Sequence, residues 1–175
     1  MALRVGNESK KLHSFANLNE NGTYDVEGDF QCTALISQYL SLLGFKKAPT
    51  ALPNGRDVVT RLAEGANKEF FSPIDATQPP RVGSIISMEA GASGIADQIG
   101  HVAIVKGVTV VNENRIFVNL IEQNIKNPGT NQFSVNRTIE FLKGSDGTWS
   151  AKHSLTKDSP YSYSVLNWTT PTKLP

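Results

Sequence analysis

The sequence has little cysteine, almost no net charge and no long apolar run. Cys32 is the single cysteine among 175 residues, which excludes an internal disulfide and zinc sites of the Cys₄ or Cys₂His₂ type. Lys and Arg number 17 and Asp and Glu 16, a formal net charge of +1, which argues against binding to nucleic acid. No apolar run approaches the ~18 residues of a membrane span. The chain length predicts a single domain over residues 1–175.

Two helices are predicted in the first part of the chain. Apolar residues recur at helical spacing over residues 32–43, and Gly44 is a natural end for that helix. A shorter helix with the same pattern is predicted over residues 56–64, with Gly65 after it.

Beyond residue 81 the pattern changes to short β-branched and aromatic runs that predict strands. These runs lie at residues 82–88, 101–111, 115–122, 138–141 and 164–168. Residues 150–154 form a polar stretch that is assigned to no strand. Because the helices precede an antiparallel sheet, the sequence predicts an α+β fold.

Cys32 lies at the predicted start of the first helix. A lone cysteine is usually a small buried apolar residue, and that alternative stays open. The amino-terminal end of a helix carries about half a positive charge, however, which favours a thiolate over a thiol. The position of Cys32 therefore suits a nucleophile.

A thiolate nucleophile needs a histidine nearby and a third group that orients the histidine. His13 and His153 lie in polar stretches and are interpreted as solvated. His101 instead opens an apolar strand and follows Gly100. His101 is the candidate partner of the cysteine.

The predicted hairpin supplies the third group. If the turn centres on Glu113, a shift of register by one residue places His101 opposite Asn124, with Glu122 as its diagonal neighbour. A bulge at Gly107 would provide that shift. The alternative is that Glu122 and Asn124 are merely the polar end of a strand.

Together these segments resemble those of a known family. Residues 31–33 (Gln-Cys-Thr), 100–105 (Gly-His-Val-Ala-Ile-Val) and 122–124 (Glu-Gln-Asn) resemble the signature segments of the CHAP family, cysteine- and histidine-dependent amidohydrolases and peptidases. Residues 80–86 and 165–168 resemble two further strands of that family, although Ser84 replaces its usual Asp. The resemblance covers about residues 25–170 and implies a papain-like CHAP domain, with amino-terminal helices packed on an antiparallel β-sheet.

The resemblance also implies roles for residues. Cys32 is the expected nucleophile, His101 the general base and Glu122 the group that orients His101. Asn124 is an expected fourth polar member, and Gln31 is expected to help the backbone N–H of Cys32 hold the oxyanion.

The expected substrate is peptidoglycan, cut either at the glycan–peptide amide or at a peptide bond. Two alternatives stay open: an amidase acting on a small soluble amide such as glutathionylspermidine, and a non-enzymatic binding module. No cofactor is expected. Residues 25–29 resemble the calcium-binding segment of some phage lysins, but Ala34 replaces a further acid of those proteins, so a solvated acidic turn is favoured.

Delivery is a separate expectation. The first residues lack an apolar signal-peptide core of roughly 7–15 residues, and the residues after Trp168 are too few for a wall-binding domain. Action at the bacterial cell wall or periplasm would then need another route of delivery or a removed leader. A toxin blocked by an immunity protein, a phage lysin and an excised catalytic domain all fit this expectation.

Overall fold

The computed structural model describes residues 32–45, 53–90, 99–123, 133–154 and 162–175. Two α-helices lie in these ranges, α1 at Cys32–Leu42 and α2 at Val58–Glu64, with short 3₁₀ helices at Gly55–Asp57 and Lys68–Phe70. The six strands are β1 Ile85–Ala90, β2 His101–Asn112, β3 Arg115–Gln123, β4 Phe133–Lys143, β5 Trp149–Ser154 and β6 Ser162–Thr169. None of the described helices combines the length and the apolar character needed to cross a membrane.

Both predicted helices are present. The first helix begins at Cys32 and is followed by Gly44, whose φ of 94° is a left-handed conformation that favours glycine. The second predicted helix is a 3₁₀ turn at Gly55–Asp57 that continues into α2, and Gly65 caps it by donating its backbone N–H to the Arg61 carbonyl.

The strands form one closed barrel in which every pair is antiparallel. Each strand pairs with the next along the chain, and β1 also pairs with β6. Closure leaves no edge strand in the described sheet, so every strand has two neighbours to satisfy its backbone groups.

This closed barrel overturns the predicted fold class. The prediction of an α+β, papain-like arrangement with amino-terminal helices packed on an antiparallel sheet is wrong, because six strands close on themselves and the described residues add two short helices. The error comes from β5, which was missed because its buried residues Trp149 and Ala151 alternate with the exposed polar residues Ser150 and Lys152 in a very short pattern. Since β5 joins β4 to β6, a sheet without it cannot close.

Two apolar clusters lie on opposite faces of β1, β2 and β3. One cluster fills the barrel and contains Ile86 and Ala103, while the other packs α1 and α2 against the outside and contains Ile85 and Ile104. Because alternate side chains point to opposite faces of a strand, β1 and the first half of β2 are apolar on both sides. This explains why these two segments read as continuous apolar runs rather than as alternating ones.

Phe141→Ala should lower the free energy of unfolding by about 3–5 kcal/mol. The Phe141 ring is fully buried in the barrel and packs edge-on against Trp168, with ring centroids 5.4 Å apart. Leu142 is 50% exposed, so Leu142→Ala is a matched control expected to cost no more than about 0.5 kcal/mol. Urea denaturation followed by circular dichroism measures both. Equal losses in the two variants would contradict a packed barrel interior.

Candidate active site

The candidate nucleophile lies at the start of a buried helix. Cys32 is the first residue of α1, is 6% exposed and belongs to the cluster between the helices and the barrel. Apolar neighbours such as Leu35 and Ile36 anchor the helix against β2 and β3 and thereby fix the position of its first residue. The prediction that Cys32 begins a helix is confirmed.

The candidate histidine opens β2, where the backbone is crowded. His101 pairs with Met88 of β1 and is 2% exposed. Gly100 has a φ of 59°, and a Cβ there would lie 2.3 Å from the Met88 carbonyl oxygen. A Cβ on Gly55 would lie 2.8 Å from the carbonyl carbon of His101. Both glycines therefore allow the chain to pack against the His101 backbone without a clash.

Ser87 links two elements of the same region by hydrogen bonds. The buried Ser87 hydroxyl donates to the Gly55 carbonyl at 2.7 Å and accepts from the Val59 N–H at 3.1 Å. These two bonds join β1 to the turn that leads into α2, next to the strand position of His101. Ser87 was not predicted, because a serine in a strand carries no distinguishing signal in the sequence.

The predicted change of register is confirmed. Val108 pairs with Val118, whereas Val105 pairs with Leu120, so the register shifts by one residue at Lys106, beside Gly107. The pairing of β2 with β3 is therefore offset by one residue between the two sides of the shift. On the side toward the start of β2, His101 Nε2 lies 3.1 Å from Glu122 Oε1.

The His101–Glu122 contact is closed off from solvent. The Glu122 side chain has no exposed area and that of His101 is 3% exposed. A buried charge is costly unless it is paired, and removal of one partner of such a pair costs about 3–5 kcal/mol. The pair therefore fixes the orientation of the imidazole.

The electrostatics of the site favour a protonated histidine. Burial lowers the pKa of His101, but hydrogen bonds to Cys32 and Glu122 and their negative charges outweigh it and raise the pKa from 6.5 to about 9. At neutral pH His101 is then an imidazolium that is hydrogen-bonded to the Cys32 and Glu122 side chains. Such a cation stabilises a thiolate, which is the reactive form of cysteine.

Two further side chains at the site were missed. Tyr163 of β6 places its ring 5.6 Å from the imidazole, at an angle of 51°. Arg137 of β4 has its Nε 3.7 Å from Glu122 Oε2. The predicted fourth strand began at Thr138, whereas the observed strand begins at Phe133. A longer predicted strand would have put Arg137 in phase with the inward residues Ile139 and Phe141.

Several predicted residues lie outside the described ranges. They are Gln31, Asn124, His13 and the acidic segment 25–29. His153 lies on β5, but its side chain is not described. Within the described ranges, no group of three or more His, Cys, Asp or Glu side chains is arranged to hold a metal ion.

Comparison with known proteins bears on the site directly. A family model described as the CHAP domain matches residues 20–124, more than half of the chain, and the matched span contains Cys32, His101 and Glu122. A search of curated proteins finds no match. The family resemblance seen in the sequence is thus confirmed.

Cys32→Ala should lower the pKa of His101 by about one unit or more from its value of about 9, because the variant removes both a hydrogen bond and a negative charge. Cys32→Ser, which keeps a hydrogen-bonding group but no charge at neutral pH, should give an intermediate value. Proton NMR titration measures the pKa, and His101→Gln identifies the His101 signal among the three histidines. An unchanged pKa in Cys32→Ala would show that the two side chains are not coupled.

Proposed function

The chain belongs to the CHAP domain family, and on that premise we propose that it cleaves amide bonds of peptidoglycan with Cys32 as the nucleophile. Members of this family are cysteine- and histidine-dependent amidohydrolases and peptidases. The observation that carries the proposal is the buried series of Cys32, His101 and Glu122, in which a thiol meets an imidazole oriented by a carboxylate. This is the arrangement that nucleophilic acyl transfer requires.

The proposed reaction starts from a thiolate and an imidazolium. The Cys32 sulfur attacks the amide carbonyl and forms a carbon–sulfur bond while the carbonyl oxygen takes the negative charge. As the carbon–nitrogen bond breaks, the His101 imidazolium gives its proton to the departing amine. The product is a thioester on Cys32 and a neutral imidazole.

Water completes the cycle. Neutral His101 accepts a proton from the water that attacks the thioester, and the carbon–sulfur bond breaks to release the carboxylic acid. The resting thiolate and imidazolium are restored. In this proposal His101 acts first as an acid and then as a base.

Glu122 holds the imidazole in one orientation. Because its Oε1 faces Nε2, we assign the bond to Cys32 to Nδ1, so each nitrogen has its own partner. Asn124 is proposed as a further polar member. Gln31 is proposed to hold the oxyanion together with the Cys32 backbone N–H, and one such donor is worth about 2.7–4 kcal/mol in other acyl-transfer enzymes.

The proposed substrate class sets the place of action. Peptidoglycan is a substrate of the family, so the protein is proposed to act at the bacterial cell wall or in the periplasm. The bond cleaved would be either the glycan–peptide amide or a peptide bond in the stem or cross-bridge.

Incubation with purified peptidoglycan should release soluble fragments, and Cys32→Ala should release at least about 10³-fold less, because no nucleophile remains. Mass spectrometry of the digest measures this. Free stem peptides would indicate an amidase, and shortened or uncrosslinked peptides an endopeptidase.

Circular dichroism of Cys32→Ala provides the control that the variant is folded. Equal release by the variant would refute the proposed nucleophile. No release from several wall types, together with release of spermidine from glutathionylspermidine, would replace the wall by a small soluble amide. Activity on neither would favour a binding module.

A further inference from the structure

The second oxygen of the buried glutamate faces a cation from the other neighbouring strand. Oε1 of Glu122 contacts His101, while Oε2 lies 3.7 Å from Nε of Arg137. The Glu122 side chain has no exposed area and that of Arg137 is 22% exposed. The carboxylate therefore lies between two cations, one at the proposed reaction site and one near the surface.

The strand register places Arg137 there. Arg137 pairs with Leu120, and the register between β3 and β4 shifts by one residue between Leu120 and Glu122. Bulges next to active sites commonly redirect a side chain. The Arg137 backbone is held in turn, because Nδ2 of Asn119 donates to its carbonyl at 3.3 Å.

The charges of the four groups balance. The Cys32 thiolate and the Glu122 carboxylate carry two negative charges, and the His101 imidazolium carries one positive charge. Without Arg137 these buried groups would hold a net charge of −1, which a low-dielectric interior disfavours. Arg137 brings the sum of the four groups to zero.

The same balance survives the proposed reaction. In the thioester the sulfur is uncharged and His101 has given up its proton, so Glu122 and Arg137 alone remain charged and again sum to zero. Neither state then carries an uncompensated buried charge.

We propose that Arg137 is a positioning residue that forms an ion pair with the second oxygen of Glu122 and offsets the charge of that carboxylate next to the Cys32–His101 pair. The inference rests on the proposed function, in which the thiolate is the nucleophile. Arg137 acts through Glu122 and does not touch the reacting atoms. In the part of the chain that the structure describes, Cys32 from α1, His101 from β2 and, against the imidazole, Tyr163 from β6 also face this series.

Loss of the Arg137 charge should change the pKa values of the surrounding groups in one direction. Removal of a nearby cation favours the protonated form of every group around it, so protons leave at higher pH. In Arg137→Gln the thiolate should therefore form at higher pH. The midpoint of its formation should rise by about one pH unit.

Alkylation of the thiol measures this midpoint without any substrate. Iodoacetamide reacts with the thiolate, whose sulfur displaces iodide, and Cys32 is the single cysteine of the chain. The rate constant plotted against pH should show the raised midpoint in Arg137→Gln. A merely structural role would change the rate at every pH and leave the midpoint in place.

Two further variants make the test sharp. Arg115→Gln removes an exposed arginine that pairs with Glu140 across the same two strands, and it should leave the midpoint unchanged. Arg137→Lys keeps the charge and should restore the midpoint to within about 0.3 unit of the natural protein, with a partial loss of kcat because lysine lacks the planar geometry of arginine.

An unchanged midpoint in Arg137→Gln overturns the inference, whatever happens to its activity. If that variant does not fold by circular dichroism, a midpoint in Arg137→Lys that moves by a full unit overturns it instead. A raised midpoint without digestion of peptidoglycan would refute the proposed substrate but keep the charge role. Digestion of peptidoglycan with an unchanged midpoint in Arg137→Gln would refute the charge role but keep the proposed substrate.

Discussion

The contact between His101 and Glu122 is the interaction on which the rest of the site depends. It joins β2 to β3 in a place closed to solvent, where an unpaired charge would cost several kcal/mol. The contact occupies Nε2 of the imidazole, and Nδ1 is the nitrogen that we propose for the bond to Cys32. It also helps His101 to remain protonated at neutral pH, which is the condition for a stable thiolate. Both geometry and charge of the candidate site thus follow from one buried pair.

The closed barrel supplies the rigidity that this pair needs. Strand β1 and the first half of β2 are buried on both faces, by the barrel interior and by the two helices, so the first residue of β2 has little freedom. Ser87 and Gly55 bring the turn before α2 against the same residue. The shift at Lys106 then sets which residue of β3 meets His101. Side chains from α1, β2 and β3 converge because packing on two faces holds all three elements.

The sequence predicts the local features of the structure well, but it does not predict that the sheet closes into a barrel. Helix α1, the hairpin and its change of register follow from periodicity and from one glycine, because each depends on residues close together in the chain. The barrel depends on β5, whose short pattern of two apolar residues gives a weak signal. Arg137 was missed for a related reason, since its place beside Glu122 depends on a bulge between β3 and β4. The periodicity of a sequence carries no information about contacts between segments that lie far apart in the chain.

The ultraviolet absorbance of the Cys32 thiolate, followed against pH, tests the central claim most directly. Cys32 is the only thiol, so the difference between the natural protein and Cys32→Ala reports on that one group. The account predicts a thiolate signal that is already present at neutral pH and that Glu122→Gln weakens, since a charged carboxylate no longer supports the imidazolium. A signal that appears only near pH ~8.5, as for an ordinary thiol, would contradict a buried thiolate–imidazolium pair.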